Sequence, residues 1–231
     1  MAEIQAARSP VPITDSAVKG SESFMSQITI FNESNDLVRI AIYKKPVLQP
    51  TLDTIAWQIV APPPGGQTVV PIPEDYQAFA EYSLNPNNPD PTIFGNTVYQ
   101  TNVLPFSETS ARFVINSVRS QDTRSSGAVI TQTFNDLVLN EVRMENNFGV
   151  GVLSHIQKAG QDVYAPRVLW PGGVRMEDIR STLYLAVVSQ FVYLGSRLVD
   201  EETQMTETPI LEGGTATVTG SMWRGYSIIT T

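Results

Sequence analysis

Cysteine is absent from the 231 residues and histidine occurs once, as His155. Disulfides, thiolate metal sites and cysteine nucleophiles are thereby excluded together, and a zinc site of the usual His/Cys type has too few ligands. Charge is sparse: Asp, Glu, Lys and Arg make up 16% of the chain, against about 25% in an average globular protein. The surface must therefore lean on Ser, Thr, Asn and Gln. Among the charges, acids outnumber bases and leave a formal net charge of −8. That sign argues against nucleic acid, whose phosphates need clustered Lys and Arg, and against anionic membrane surfaces. Long apolar runs are missing too. The longest, such as Leu183 to Val188, are strand-length, well short of the ~18 residues of a spanning helix, so no membrane span is expected. The amino terminus carries Glu3 and no apolar stretch, so it lacks the layout of a secretory signal. Cytoplasmic synthesis without classical export is the expectation.

Reactive constellations are equally scarce. His155 ends an alternating stretch, Ser154 beside it points to the opposite face of a strand, and no Gly-x-Ser-x-Gly elbow occurs. A histidine hydrogen-bonded locally is the reading. The acid pairs Glu74-Asp75 and Glu177-Asp178 fall near similar turns and Asp200-Glu201-Glu202 in a polar run; solvated loop acids account for them. The Asn85 to Asp90 loop has oxygen ligands, but prolines interrupt it and the Asp-x-Asp spacing of a calcium loop is missing, which favours a rigid Asx-turn loop. Gly149-Val150-Gly151 lies in an alternating strand without a following helix, so it is not a dinucleotide fingerprint. No catalytic, cofactor-binding or metal-binding residue is assigned, and the chain is read as not an enzyme.

What the sequence does have is strand and turn. Sixteen prolines and 15 glycines punctuate it, with Val, Ile, Thr, Tyr and Phe between them. Residues 1–25 show no sustained period and read as an extended arm. Ile28 and Ile30, then Val38, Ile40 and Ile42 after the turn cluster at residues 32–36, read as a hairpin of half-buried strands. Further strands are expected over residues 54–60, 67–72, 76–82, 92–103 and 112–118, and again over 137–144, 150–156, 163–169, 174–179, 182–194, 215–219 and 226–229. Pro64-Gly65-Gly66 recurs as Pro171-Gly172-Gly173, and Ile72 and Ile179 keep the same offset. The expectation is an all-β chain with little helix, a short one at residues 195–203 at most. It forms two tandem, antiparallel, β-sandwich-like halves, residues 26–122 and 123–231, behind the arm at 1–25. The boundary falls in the apolar-free run at residues 120–126.

The opening strand Ile28-Thr29-Ile30-Phe31-Asn32-Glu33-Ser34, the strand ending in Tyr43, Ile55-Ala56-Trp57 and the Pro64-Gly65-Gly66 turn resemble members of the bacterial rhizosphere-induced protein family (RhiA-like), over roughly residues 27–83. The resemblance implies a bacterial, non-enzymatic β-protein of two related halves. It carries across no reaction, cofactor or catalytic residue.

The leading expectation for function is a structural or interaction protein that associates with copies of itself through β edges and the arm. Ile4, Val11, Ile13 and Val18 are apolar residues in a segment that cannot build its own core. Of the three tryptophans, Trp57 and Trp170 are expected in the core, and Trp223, in a loop-like context beside Arg224, is a candidate partner contact. A carbohydrate- or ligand-binding sandwich, with Trp223 stacking on a glycan, is the alternative.

Overall fold

Alternation at Ile28 and Ile30, and again at Val142 and Met144, gives each strand one buried face. The computed structural model describes residues 26–46, 54–107, 109–119, 126–198 and 207–231, and these form strands, turns and loops with no helix. The strands are β1 Ser26–Asn32, β2 Ile40–Tyr43, β3 Gln58–Val60, β4 Gln67–Ile72, β5 Tyr76–Ser83, β6 Val98–Gln100, β7 Leu104–Phe106, β8 Ala111–Arg119 and β9 Ser126–Thr133. They continue as β10 Glu141–Asn146, β11 Val152–Lys158, β12 Gln161–Asp162, β13 Arg167–Leu169, β14 Val174–Asp178, β15 Thr182–Val187, β16 Thr208–Leu211, β17 Thr215–Ser221 and β18 Gly225–Thr230. At residues 195–198, where the short helix was expected to begin, the chain turns and Arg197 bridges to Ile55; the remainder of that stretch, like the arm at 1–25, lies outside the described residues.

Four sheets result. Sheet I has the order β18-β17-β1-β4 and sheet II the order β16-β15-β2-β3. Sheet III runs β14-β10-β8-β9, and sheet IV runs β12-β11-β5-β6, with β13 also against β11 and β7 also against β5. Sheets I and II meet where β15 and β16 contact β18, and sheets III and IV where β5 and β7 contact β9 and β13 contacts β14. Ile28, Ile30, Val218 and Ile228 of sheet I, with Ile40, Ile42, Leu183 and Leu185 of sheet II, belong to one buried cluster, the interior expected of two stacked sheets.

Two expectations are corrected. The stretches at 28–30 and 38–42 do not form a hairpin: β1 pairs with β17 and β4 in sheet I, whereas β2 pairs with β15 and β3 in sheet II. The turn at residues 32–36 therefore carries the chain across the sandwich. Nor do the spans 26–122 and 123–231 each make a sandwich, because every sheet takes strands from both. Sandwich one combines β1 to β4 with β15 to β18, sandwich two is built from β5 to β14, and the expected boundary at 120–126 falls between β8 and β9, which pair with each other. The physical cause lies in two three-residue crossovers, 73–75 and 179–181. Pro73 fixes its own φ and keeps Ile72 extended, so the chain runs on into the other sandwich instead of turning back.

The same local geometry occurs twice. Asn32 N donates to Gly66 O and Gly65 N to Asn32 O; Asn146 N donates to Gly173 O and Gly172 N to Asn146 O. β1 and β10 each pair with one parallel neighbour, β17 and β8 respectively, and with one antiparallel neighbour, β4 and β14. Where the sandwiches meet, Tyr76, at the first position after a crossover, lies under two buried lysines. Lys44 Nζ and Lys158 Nζ stand 5.5 and 4.7 Å from its ring centroid, and Trp57 Nε1 donates to Lys158 O at 3.0 Å.

Candidate functional site

The most distinctive feature of the described surface is the β17–β18 hairpin. Gly220 and Gly225 bracket the turn with φ of 105° and 80°, a region that L side chains rarely adopt. A Cβ on Gly220 would stand 2.2 Å from Gly225 O. Gly220→Ala is accordingly expected to cost on the order of 2 kcal/mol through strain and overlap, read as a lower urea midpoint, and an unchanged midpoint would contradict this geometry. Asp36 steadies the turn: its Oδ2 accepts from Met222 N and from Tyr226 Oη, both at 2.9 Å. Burial, reinforced by the bond to Asp36, pushes the Tyr226 hydroxyl pKa up.

Held this way, the tip presents Trp223 at 91% exposure and Met222 at 73%. Met222 and Tyr226 line a recess of about 410 Å³ together with Leu37, Arg39, Val187 and Phe191, of which Leu37 and Phe191 are 71% and 68% exposed. Arg39 Nη2 donates to Val192 O at 2.7 Å, and its guanidinium lies 5.9 Å from the Tyr193 ring centroid. An arginine among exposed aromatics is a recurrent interface chemistry.

Of the residues singled out from sequence, Trp223 is thus exposed on a loop, as expected. Ile4, Val11, Ile13 and Val18 lie outside the described residues. Trp57 is wholly buried, but Trp170 is 54% exposed, a correction to its expected place in the core. Its ring lies over Gly151, where an added Cβ would come within 2.8 Å of Cζ3. Leu37, Phe191, Tyr193 and Met222 were not singled out. The run Phe191-Val192-Tyr193-Leu194, merged into one long expected strand, breaks the alternation after Val187. That loss of period 2 was the available signal.

His155 lies within β11, not at a strand end. Its Nδ1 is 3.1 Å from Asp162 Oδ1, its Nε2 is 3.6 Å from Glu81 Oε2, and its ring stacks on Phe79 with centroids 4.6 Å apart. Ser154 faces the other way, donating from Oγ to Arg167 O at 2.8 Å, so the two adjacent residues do not converge. Glu74 and Asp75 are exposed, as solvated acids should be, whereas Glu177 and Asp178 are buried in β14. This corrects their reading as loop acids. Glu177 Oε1 accepts from Arg175 Nε at 3.0 Å with both side chains fully buried. The loop at 85–90 does form Asx turns: Asn85 Oδ1 accepts from Asn87 N, and Asp90 Oδ1 from Thr92 N.

No group of three or more His, Cys, Asp or Glu suited to a metal ion occurs among the described residues. No described helix is long and apolar enough to cross a membrane. No protein-family model matches this sequence, and no curated protein and no solved structure matches it either.

Proposed function

We propose that this is a non-enzymatic structural or interaction protein that associates with copies of itself. The observation that carries the reading is the exposed apolar end of sandwich one, where a turn that Asp36 holds in place presents Met222 and Trp223, and Met222 shares a recess with Leu37 and Phe191. Each Å² of apolar surface withdrawn from water contributes about 25 cal/mol, so such a cluster favours contact with another protein surface. The β edges and residues 1–25 supply the remaining contacts in this reading. The resemblance to the rhizosphere-induced family is in keeping with it, as is a duplicated unit, β1 to β9 and β10 to β18, whose copies exchange their second halves.

Light scattering over a range of concentrations tests the proposal on the full chain, on Trp223→Ala and on a chain lacking residues 1–25. The full chain is expected to exceed the monomer mass, and each change to lower it. Trp223→Ala should leave the free energy of urea unfolding within about 0.5 kcal/mol of the parent, since the side chain is solvent-exposed. Concentration-independent monomers for all three would end the reading.

A second reading, glycan binding, draws on the same recess, where aromatic rings adjoin Arg39, Ser189 and Gln190 and offer stacking together with polar groups. A glycan array and a tryptophan fluorescence titration check it. Saturable quenching that disappears in Trp223→Ala is the result it expects.

A further inference from the structure

Most outer strands of the four sheets are protected against further pairing. Pro71 in β4, Pro105 in β7 and Pro209 in β16 remove backbone donors, β3, β6 and β12 are short, and β14 carries Arg175 and Glu177 turned inward. β9 has neither charge nor proline, but a side chain closes it. Asn102 Nδ2 donates to Ile130 O, and Ile130 N donates to Asn102 Oδ1, both at 3.0 Å, so the amide imitates a neighbouring strand. β18 is the counterpart of β9: its Ile228 pairs with Val218 as Ile130 pairs with Ile115. It too lacks charge and proline, and no described strand pairs with its outer side.

The direction of that outer side follows from the ladder. Thr215 and Thr231 exchange both backbone bonds at 2.9 Å, so Tyr226, Ile228 and Thr230 turn their N–H and C=O groups away from β17. The same residues point their side chains inward, Ile228 into the core. Between β18 and β16 lies an apolar groove of about 470 Å³, lined by Pro209, Ile210, Leu211, Glu212, Thr230 and Thr231. Ser26 Oγ donates to Glu212 Oε2 at 3.2 Å, so the chain preceding Ser26 joins the body at the rim of this groove.

We propose that the β18 edge and this groove accept residues 9–13 of this chain, Ser9-Pro10-Val11-Pro12-Ile13, as one further strand of sheet I. That the donor is a neighbouring copy rests on the self-association reading. The parity of the segment fits the site. In an extended strand, Val11 and Ile13 present backbone and side chain in one phase, Pro10 and Pro12 in the other. With Val11 and Ile13 bonded to β18 in antiparallel sense, their side chains fall on the face of Ile228 and enter the groove, as side chains of directly paired residues do. The prolines then lie on the far edge, where no donor is needed and where they stop a further strand from adding. Shifting the segment by one residue would turn the prolines toward β18 and forfeit both donors.

The test is the binding of a fluorescently labelled peptide of residues 1–25, followed by anisotropy, to a chain lacking those residues, which keeps every described strand. One peptide per chain is expected to bind saturably. Leu211→Asp in the protein, at a 62% exposed groove position, and Val11→Pro in the peptide should each weaken binding at least tenfold. Replacing Pro10 and Pro12 together with serine should not weaken it. No binding, or binding indifferent to both Leu211→Asp and Val11→Pro, overturns the proposal. If the peptide binds as described while the full chain scatters as a monomer, the groove holds the chain's own segment and self-association fails. If the full chain associates and the peptide does not bind, self-association stands without this groove.

Discussion

Arg175→Leu is expected to cost about 3–5 kcal/mol of stability near neutral pH, and exchanging Ser154, Arg175 and Glu177 together for Ile, Thr and Val to recover most of it. Arg175 and Glu177 are fully buried. Besides Glu177, the guanidinium donates to Ser154 O at 2.8 Å, Ser154 Oγ at 3.2 Å and Ala165 O at 3.0 Å. Removing the arginine strands a carboxylate whose Oε2 already lacks a hydrogen-bond partner among the described residues. The pH dependence follows from the direction of the shift. Burial holds the Glu177 carboxyl above its ordinary value even with Arg175 beside it. A carboxyl raised in the folded state favours folding fully below its unfolded pKa, and that contribution is lost as pH rises through the folded value. The cost of Arg175→Leu should therefore be larger near pH 8 than near pH 5, because the acid can be neutralised at the lower pH. Sandwich one supplies the apolar solution for these positions. There the corresponding ladder positions hold Thr68 opposite Ile30 and Val70 opposite Ile28, where sandwich two has Arg175 opposite Met144 and Glu177 opposite Val142. Ile40 likewise pairs with Val187 as Ser154 pairs with Ala80. Urea unfolding at both pH values decides the matter. A pH-independent cost, with a triple variant no more stable than the single one, would refute the account.

Asn146→Asp is expected to cost about 2–4 kcal/mol, and Asn32→Asp a comparable amount. Asn146 Nδ2 donates to Leu169 O at 2.7 Å and Val150 O at 2.9 Å, while its Oδ1 accepts from Phe148 N at 2.8 Å. Asn32 repeats the arrangement, with Nδ2 on Asp36 O and Pro62 O and Oδ1 accepting from Ser34 N. An aspartate keeps the acceptor but sets a second oxygen against two carbonyl oxygens. Thermal unfolding should show the loss, diminished under acid conditions where the protonated carboxyl can donate once. Equal stability of Asn146→Asp and the parent would mean that the amide is not what ties the β10 end to the β13–β14 turn.

The turn cluster that holds Asn32, like the paired Pro-Gly-Gly turns, stood out in the sequence, because turn chemistry is local. Burial was legible where alternation is clean, as at Ile28, Ile30 and Ile156. Pairing was not: a period of 2 assigns faces, but nothing local says that β1 will lie beside β17. Strand existence failed where propensity is weak. β9 reads Ser-Gly-Ala-Val-Ile-Thr-Gln-Thr, polar enough to pass for a continuation of the linker, and β7 carries Pro105. At the candidate site, Trp223 was found from its loop-like context, whereas Leu37 and Phe191 are brought to it by the stacking of sheet II on sheet I. The carboxylates of Glu177 and Asp178 misled because acids are ordinarily solvated, and the buried arginine that accommodates Glu177 lies two residues earlier on the same strand face.

The three-residue crossovers also order the making of the molecule. The amino-terminal strands β1 to β4 leave the ribosome first, yet their lateral partners β15 and β17 are encoded beyond residue 181. Sandwich two, contained within residues 76–178, is the unit that can close while translation is still under way. Strands β1 to β4 thus wait for β15 to β18, and their pairing is a long-range step of folding.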